Sequence, residues 1–363
     1  MLCKAPFVGL TIDPGGLITM CCNTGDRRQF NTRITDVEDL TEFFRDKQYE
    51  QLRNKMSSDG IDGIKECWRC SASVKKGAMD EIYNYDRYTP SEDLNIRYLE
   101  VTTSNVCNQT CAMCSSYFST KWKKIESQFP AWSQAKHSTS ALSDESIEKI
   151  LRVIPTLGYL NIKGGEPFAD KNNLKILTKV AETNPECEVI ITSNFQHIPE
   201  EWFDPLSRLK NLIIGASVDG IGKTYDWIRG GDFENTYFNI VEFQQRLGVR
   251  VSINMCISLY NIFNLRKTQE MFDGYTQNFY NVVISPVYLS PALIETDKMR
   301  ELLLQQYEHN TENISKNLWN ITPTPEPRRS QLIKGFFLYT ESMNKVRGFD
   351  IFDIHPELVD IFK

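Results

Sequence analysis

From residue 96 to residue 290 short apolar runs alternate with amphipathic stretches, and this alternation restricts the chain to few architectures. Ile96 to Thr103, Tyr159 to Lys163, Glu188 to Thr192, Leu212 to Val218, Val249 to Ile257 and Val282 to Val287 have the length and residue types of strands. Between them, Ser143 to Ile154, Asn172 to Thr183, Glu234 to Leu247 and Asn264 to Phe272 repeat apolar residues at helical spacing; the first opens on Ser143 as its cap, with Ser146 at the third position. Strands that alternate with helices run parallel and are joined by right-handed crossovers, so the expected fold class is α/β. In such folds the reacting groups collect at the C-terminal ends of the strands.

Strand parity sorts the side chains. Along Val249 to Ile257, Val251, Ile253, Met255 and Ile257 share one apolar face, while Arg250, Ser252, Asn254 and Cys256 share the other. Asn161 and Lys163 alternate with Leu160 and Ile162, and Glu100 and Thr102 with Leu99 and Val101. Polar groups on buried strands are costly unless paired, so a polar lumen that binds something explains them better than a dry core.

Two of the strand ends carry chemistry. After the first comes Ser104-Asn-Val-Cys-Asn-Gln-Thr-Cys-Ala-Met-Cys114, a Cys-x3-Cys-x2-Cys loop formed by Cys107, Cys111 and Cys114. Three thiolates can hold three irons of a cubane and leave the fourth open to a chelating substrate. Structural zinc would need a fourth ligand, which no nearby His or Cys supplies, and an odd number of cysteines argues against disulfides. After the second strand comes Lys163-Gly-Gly-Glu-Pro-Phe168. Together the two segments resemble the radical S-adenosylmethionine (SAM) superfamily. The resemblance implies a partial (βα)6 TIM-like barrel over 96–290, a 4Fe-4S cluster on Cys107, Cys111 and Cys114, and the methionine end of SAM on Gly164, Gly165 and Glu166. The glycines would let the backbone approach the ligand, and the Glu166 carboxylate would take the SAM ammonium group.

Other positions follow from the same resemblance. Ala216-Ser-Val-Asp-Gly220 is similar to the fourth-strand segment of the family, which implies Ser217, and Asp219 beside it, as SAM ligands. Arg229 resembles an arginine that pairs with the SAM carboxylate; the plainer reading is an exposed arginine at a helix end. Asn194 stands in the place of a Thr-Asn-Gly pattern, with Phe195 where glycine is usual. Met113 takes the place of an aromatic residue and offers a soft adenine contact. Cys256, on the polar face of its strand, is a candidate hydrogen donor to a substrate radical, with packing as the alternative, whereas Cys187 reads as a buried small hydrophobe.

Residues 1–75 hold a second set: Cys3, Gly16, Cys21 and the pair Cys67-Trp-Arg-Cys70. This pattern resembles half of a SPASM domain, the twitch form, and implies an auxiliary 4Fe-4S cluster on Cys3, Cys21, Cys67 and Cys70, with Cys22 as the rival of Cys21. A full module would continue with a cysteine near position 76, which is Lys76 here, and the family places the module after the barrel rather than before it. Four cysteines also make a closed zinc site, so zinc stays open. Residues 76–95 read as a linker and 291–363 as a C-terminal helical extension, with a loop at Thr322 to Pro327 and a helix at Leu332 to Val346. The ending Arg347-Gly-Phe-Asp to His355-Pro-Glu-Leu358 looks like that of twitch-type radical SAM proteins of bacteriophage and bacterial genomes.

Composition narrows the partners. A formal charge of −6 and a pI near 5.5 disfavour binding to nucleic acid or to an anionic membrane, and no apolar run reaches membrane-spanning length. The start, Met1 to Phe7, lacks the apolar core of a secretory signal, and ten cysteines point to metal and a reducing compartment: the cytoplasm, or the host's if the chain is phage-encoded. The resemblance implies reductive cleavage of SAM to methionine and a 5′-deoxyadenosyl radical, with flavodoxin or ferredoxin as reductant. The substrate would be a peptide, a protein or a small polar molecule, and an auxiliary cluster would favour net oxidation. A redox-neutral epimerase or mutase and a non-catalytic iron-sulfur or zinc protein are the alternatives.

Overall fold

The computed structural model describes residues 1–24, 29–75, 85–90, 92–132, 141–273, 276–307 and 318–363. Its strands are β1 (Gly9–Ile12), β2 (Ile18–Thr19), β3 (Tyr98–Thr102), β4 (Tyr159–Lys163), β5 (Glu188–Ser193), β6 (Asn211–Ser217), β7 (Val251–Ile257) and β8 (Thr276–Val282). They form an eight-stranded, mostly parallel sheet in the order β2-β1-β3-β4-β5-β6-β7-β8, so the class is α/β. Two findings correct the sequence reading. The sheet has eight strands rather than six, because the N-terminal segment contributes β1 and β2. The last strand is Thr276–Val282 rather than Val282 to Val287; backbone pairing with β7 outweighs the more apolar run that follows.

Contacts divide the chain into two compact units, one of Met1–Val106, Lys136–Ile191 and Pro199–Ile213, the other of Cys107–Ala135, Thr192–Ile198 and Ile214–Lys363. In the first, β1 pairs antiparallel with β2 and parallel with β3. The turn between β1 and β2 closes because Asp13 Oδ1 accepts from Gly15 N and Leu17 N, and Gly16 takes the positive φ of 76° that the turn requires. Helix Asp144–Val153 begins where Ser143 Oγ accepts from Ser146 N at 3.2 Å, and helix Lys171–Thr183 where Asp170 accepts from Asn172 N. Their buried faces, Ile147, Ile150 and Val153 on one and Ile176, Leu177 and Val180 on the other, each contribute ~1.5–3 kcal/mol per side chain by leaving water.

The second unit holds β6, β7 and β8 in parallel register. Its core gathers Met255 and Ile257 from β7 with Trp227, Tyr260, Phe336 and Tyr339. The last two lie on the C-terminal helix Arg328–Arg347, which stops at Gly348 in the left-handed region, φ 77°. Thr340 Oγ1 and Tyr260 OH lie 2.9 Å apart, and Trp227 Nε1 donates to Asn344 Oδ1 at 2.8 Å. Part of the expected linker at 76–95, including Lys76, lies outside the described residues.

Candidate functional site

The Gly-Gly-Glu segment leaves β4 and turns immediately onto its own chain. Gly165 N donates to Ser104 O at 3.3 Å and Glu166 N to Val106 O at 2.8 Å, so backbone bonds tie the segment to the residues that lead into Cys107. A Cβ on Gly165 would sit 2.2 Å from Val106 O and 2.6 Å from Val106 C. The close approach that glycine permits here is therefore to the chain itself. Gly164, with φ 156°, would place a Cβ 3.0 Å from Ser104 O. Since both neighbours are backbone, Gly165→Ala is expected to cost about 1–3 kcal/mol of stability. A urea midpoint equal to wild type would show that the strand end relaxes freely. Glu166 is buried, and its Oε1 accepts from Phe168 N at 3.1 Å, which orients the carboxylate at the start of a short helical turn.

The same unit holds a polar file along β3 and β4. Glu100 Oε1 accepts from Tyr98 OH at 3.1 Å, and its Oε2 lies 3.0 Å from Lys163 Nζ. The rings of Tyr98 and Tyr159, register partners, stack at 4.0 Å. The polar groups that parity assigns to one face are thus paired with one another, as their burial demands.

In the second unit the cysteine loop is pinned at many points. Cys114 N donates to Cys111 O at 2.9 Å, a turn that turns the second and third cysteines together. Trp122 Nε1 donates to Cys111 O at 3.1 Å and Ser119 Oγ to Gln109 O at 2.8 Å. Gln109 Nε2 reaches Tyr225 OH at 3.0 Å. Ala112 N and Thr110 N donate to Ile228 O and Arg229 O, at the end of helix Gly222–Arg229. All three cysteines are partly exposed. Burial raises the Cys111 and Cys114 thiols, and Arg229 pulls both back toward the thiolate. Metal binding, which requires thiolates, would release those protons.

Arg229 is buried at 8% exposure, which overturns the reading of an exposed helix-end residue. Its Nη1 lies 3.0 Å from Asp219 Oδ2, and Asp219 is fully enclosed at 0%. Asp219 Oδ1 accepts from Cys256 N at 2.7 Å. Both oxygens of Asp219 are engaged within the protein, and what they hold is the arginine. Burial opposes the charge on Arg229, but Cys111 and then Asp219 outweigh it, and the guanidinium is raised well above its usual value. Its Nε is buried without a hydrogen-bond partner among the described residues. An orphaned donor beside Cys111, on a loop of three thiols, fits an acceptor absent from the chain: a cluster sulfur or a SAM carboxylate.

The remaining candidates are placed as follows. Asn194 Nδ2 donates to Asn108 Oδ1 at 2.7 Å, between the first two cysteines of the loop. Phe195, where glycine is usual, adopts φ 55° and is fully buried, with its ring 5.4 Å from Phe243. The left-handed turn survives there because packing holds a side chain in a conformation that glycine would enter freely. Ser217 ends β6 and is register partner to Asn254, and Met113 packs against the unit's apolar core. Desolvation pushes the Cys256 thiol up to about 12, so it carries its hydrogen at neutral pH. Cys187 is fully buried, 1% exposed.

The N-terminal cysteines lie in the first unit. Cys3, Cys21 and Cys67 are buried, Cys70 is partly exposed and Cys22 is exposed. Burial raises Cys3 and Cys21 to about 11; Cys3 is raised further by Cys70, and Cys21 by Cys3. Cys67 is raised by burial first and then by Cys21, Cys3 and Cys70. These four thiols share one electrostatic environment. Cys22 is raised by burial first and then by Glu100, with Cys21 raising it too and Lys163 lowering it. Among the described residues, no group of three or more His, Cys, Asp or Glu side chains is placed to hold a metal ion as it stands.

One functional candidate was missed by the sequence reading. Arg347, at the end of the C-terminal helix, donates through Nη2 to Thr110 O at 2.5 Å and through Nη1 to Thr110 Oγ1 at 2.8 Å. No local signal marks it, since 237 residues separate it from Thr110.

Residues 101–272 match the family described as the Radical SAM superfamily. No curated protein matches the chain. Among solved structures, native anSMEcpe with bound AdoMet and Cp18Cys peptide is similar at 18% identity and TM-score 0.39, over 70% of this chain and 62% of that one. The chain thus spans less than two thirds of that protein's length. Streptococcus suis SuiB bound to S-adenosylmethionine is 17% identical, with TM-score 0.39, over 73% of this chain and 63% of that one. SuiB bound to precursor peptide SuiA is 15% identical, with TM-score 0.42, over 91% and 74%. Among the described residues no helix is long and apolar enough to cross a membrane.

Proposed function

We propose that the chain is a radical SAM enzyme that modifies a peptide, a protein or a small polar molecule by hydrogen abstraction. The orphaned Arg229 Nε beside Cys111, on a pinned loop of three thiols within the residues that match the Radical SAM superfamily, carries this reading. When bound, the cluster and SAM supply one-electron cleavage to a 5′-deoxyadenosyl radical, chemistry no side chain provides. The chain's own part is to bind and orient. Cys107, Cys111 and Cys114 hold three irons, Glu166 meets the SAM ammonium group, and Arg229, held by Asp219, turns its free donor to the carboxylate or the cluster. Gly164 and Gly165 would serve the methionine end of SAM, and Asn194, Ser217 and Met113 are the further candidates for SAM contacts. Cys3, Cys21, Cys67 and Cys70 would hold an auxiliary 4Fe-4S cluster, which would supply an electron acceptor for oxidation of the substrate.

Cys256, partly buried on the polar face of β7, gives a second reading, redox-neutral epimerisation, in which its thiol would return a hydrogen atom to the substrate radical. Deuterium incorporated from water into product would support that reading over oxidation. Flavodoxin or ferredoxin is the reductant this chemistry would use in a cytoplasm. Deoxyadenosine formed after anaerobic reduction with SAM is the expected result; a fully iron-loaded protein that forms none would show that turnover is lost.

Glu166→Gln keeps the shape and the acceptor for Phe168 N but removes the charge. The charge-assisted hydrogen bond to SAM is worth about 1.5–3 kcal/mol, so SAM affinity should fall about ten- to hundredfold at unchanged iron content. Equal affinity by equilibrium binding would remove Glu166 from the SAM site.

A further inference from the structure

We propose that Arg347, at the end of the C-terminal helix, is a positioning residue for the cysteine loop whose charge makes the cluster there easier to reduce. The inference rests on the reading of Cys107, Cys111 and Cys114 as cluster ligands. Three observations of the second unit carry it.

First, the guanidinium bridges two segments of the cluster neighbourhood. It donates to Thr110 O and Thr110 Oγ1, next to Cys111, and its Nε donates to Trp227 O at 2.5 Å. An arginine in the last turn of a helix ordinarily serves its own terminal carbonyls. Here the fork turns away to another part of the chain. The packing is close: a Cβ on Gly230 would meet Thr110 Oγ1 at 2.5 Å and Arg347 Nη1 at 2.8 Å.

Second, the helix that carries Arg347 is latched at other points to the cysteine loop and to helix Gly222–Arg229. Tyr339 OH donates to Ala112 O, and Asn344 Oδ1 accepts from Trp227 Nε1. Arg347 is thus held in place rather than swinging on an open surface.

Third, among the described residues its charge is uncompensated. Arg229, the other arginine beside Cys111, is neutralised by Asp219 at 3.0 Å. The partners of Arg347 are two carbonyls and a hydroxyl, and among the described residues no carboxylate forms an ion pair with it. Burial works against its charge, and Cys111 is the largest influence in its favour. One-electron reduction adds a negative charge to a cluster that already carries thiolates. A fixed positive charge in a poorly screened site favours the reduced form. Asp219 cancels most of this effect for Arg229, so Arg347 should dominate.

The test is a redox titration of anaerobically reconstituted full-length protein, followed by electron paramagnetic resonance without SAM; the barrel cluster is the signal that changes when SAM is added afterwards. Arg347→Gln should retain its iron and move that signal to a more negative midpoint potential, while Arg347→Lys, which keeps the charge but not the fork, should stay near wild type. An unmoved potential in Arg347→Gln, or an equal shift in Arg347→Lys, overturns the proposal. If Arg347→Gln does not hold iron, Arg347→Lys decides: iron at the wild-type potential supports the role of charge, and a displaced potential refutes it. Failure of the wild-type protein to give a SAM-responsive cluster signal would instead overturn the ligand assignment on which the inference rests.

Discussion

Deoxyadenosine formation should vanish when Cys107, Cys111 and Cys114 are replaced together by alanine, and about half of the roughly eight irons of the reconstituted protein should go with it. The loop keeps its backbone ties in such a variant, because Cys111 O and Cys114 N act through the main chain, and Arg229 and Arg347 engage Asp219, Thr110 and Trp227 rather than a thiol. Loss of activity should therefore come without loss of the fold, as an unchanged circular dichroism spectrum would record. Cys107→Ala alone should also abolish SAM cleavage, since three irons held by protein are what leave the fourth for SAM. Retained deoxyadenosine formation in the triple variant would exclude this loop as the cluster site.

The second large effect is expected at Cys67 and Cys70, which stand at and within the first turn of helix Trp68–Val74. Replacing both by alanine removes two of the four thiols whose influences overlap and should remove the other half of the iron. Slow SAM cleavage without substrate should survive, because the barrel ligands are untouched. Substrate modification should disappear, because the electron acceptor is gone. Stoichiometric zinc in natively purified protein, with about four irons, would turn the set into a closed zinc site. Full modification by the double variant would make the N-terminal cysteines dispensable for chemistry and reopen the redox-neutral reading.

Much of the fold could be read along the chain. Tyr159–Lys163 has the same bounds in the structure as its apolar alternation suggests, and the Ser143 cap is where the pattern places it. Such features depend on neighbours within a few residues, which a linear pattern records. β1 and β2 were missed because Gly9–Ile12 and Ile18–Thr19 are too short to carry a period, and pairing with β3 makes them strands. β8 was placed too late because Thr-Gln-Asn-Phe-Tyr-Asn-Val alternates weakly, and hydrogen bonds to β7 decided its position. Phe195 shows the limit for a single residue: packing against Phe243, not its own preference, goes with the left-handed turn.

For the site, the sequence by itself determined the candidate residues and their spacing: three cysteines on one loop, Gly-Gly-Glu at a strand end, and a second set of cysteines in the first 75 residues. Only the tertiary structure decided that Arg229 is buried with one donor free, that Asp219 serves this arginine, and that Arg347 reaches Thr110. Ligand spacing is a local property of the covalent chain. Burial, charge neutralisation and the placing of an unpaired cation depend on residues far apart in sequence, and no motif encodes them until the chain has folded.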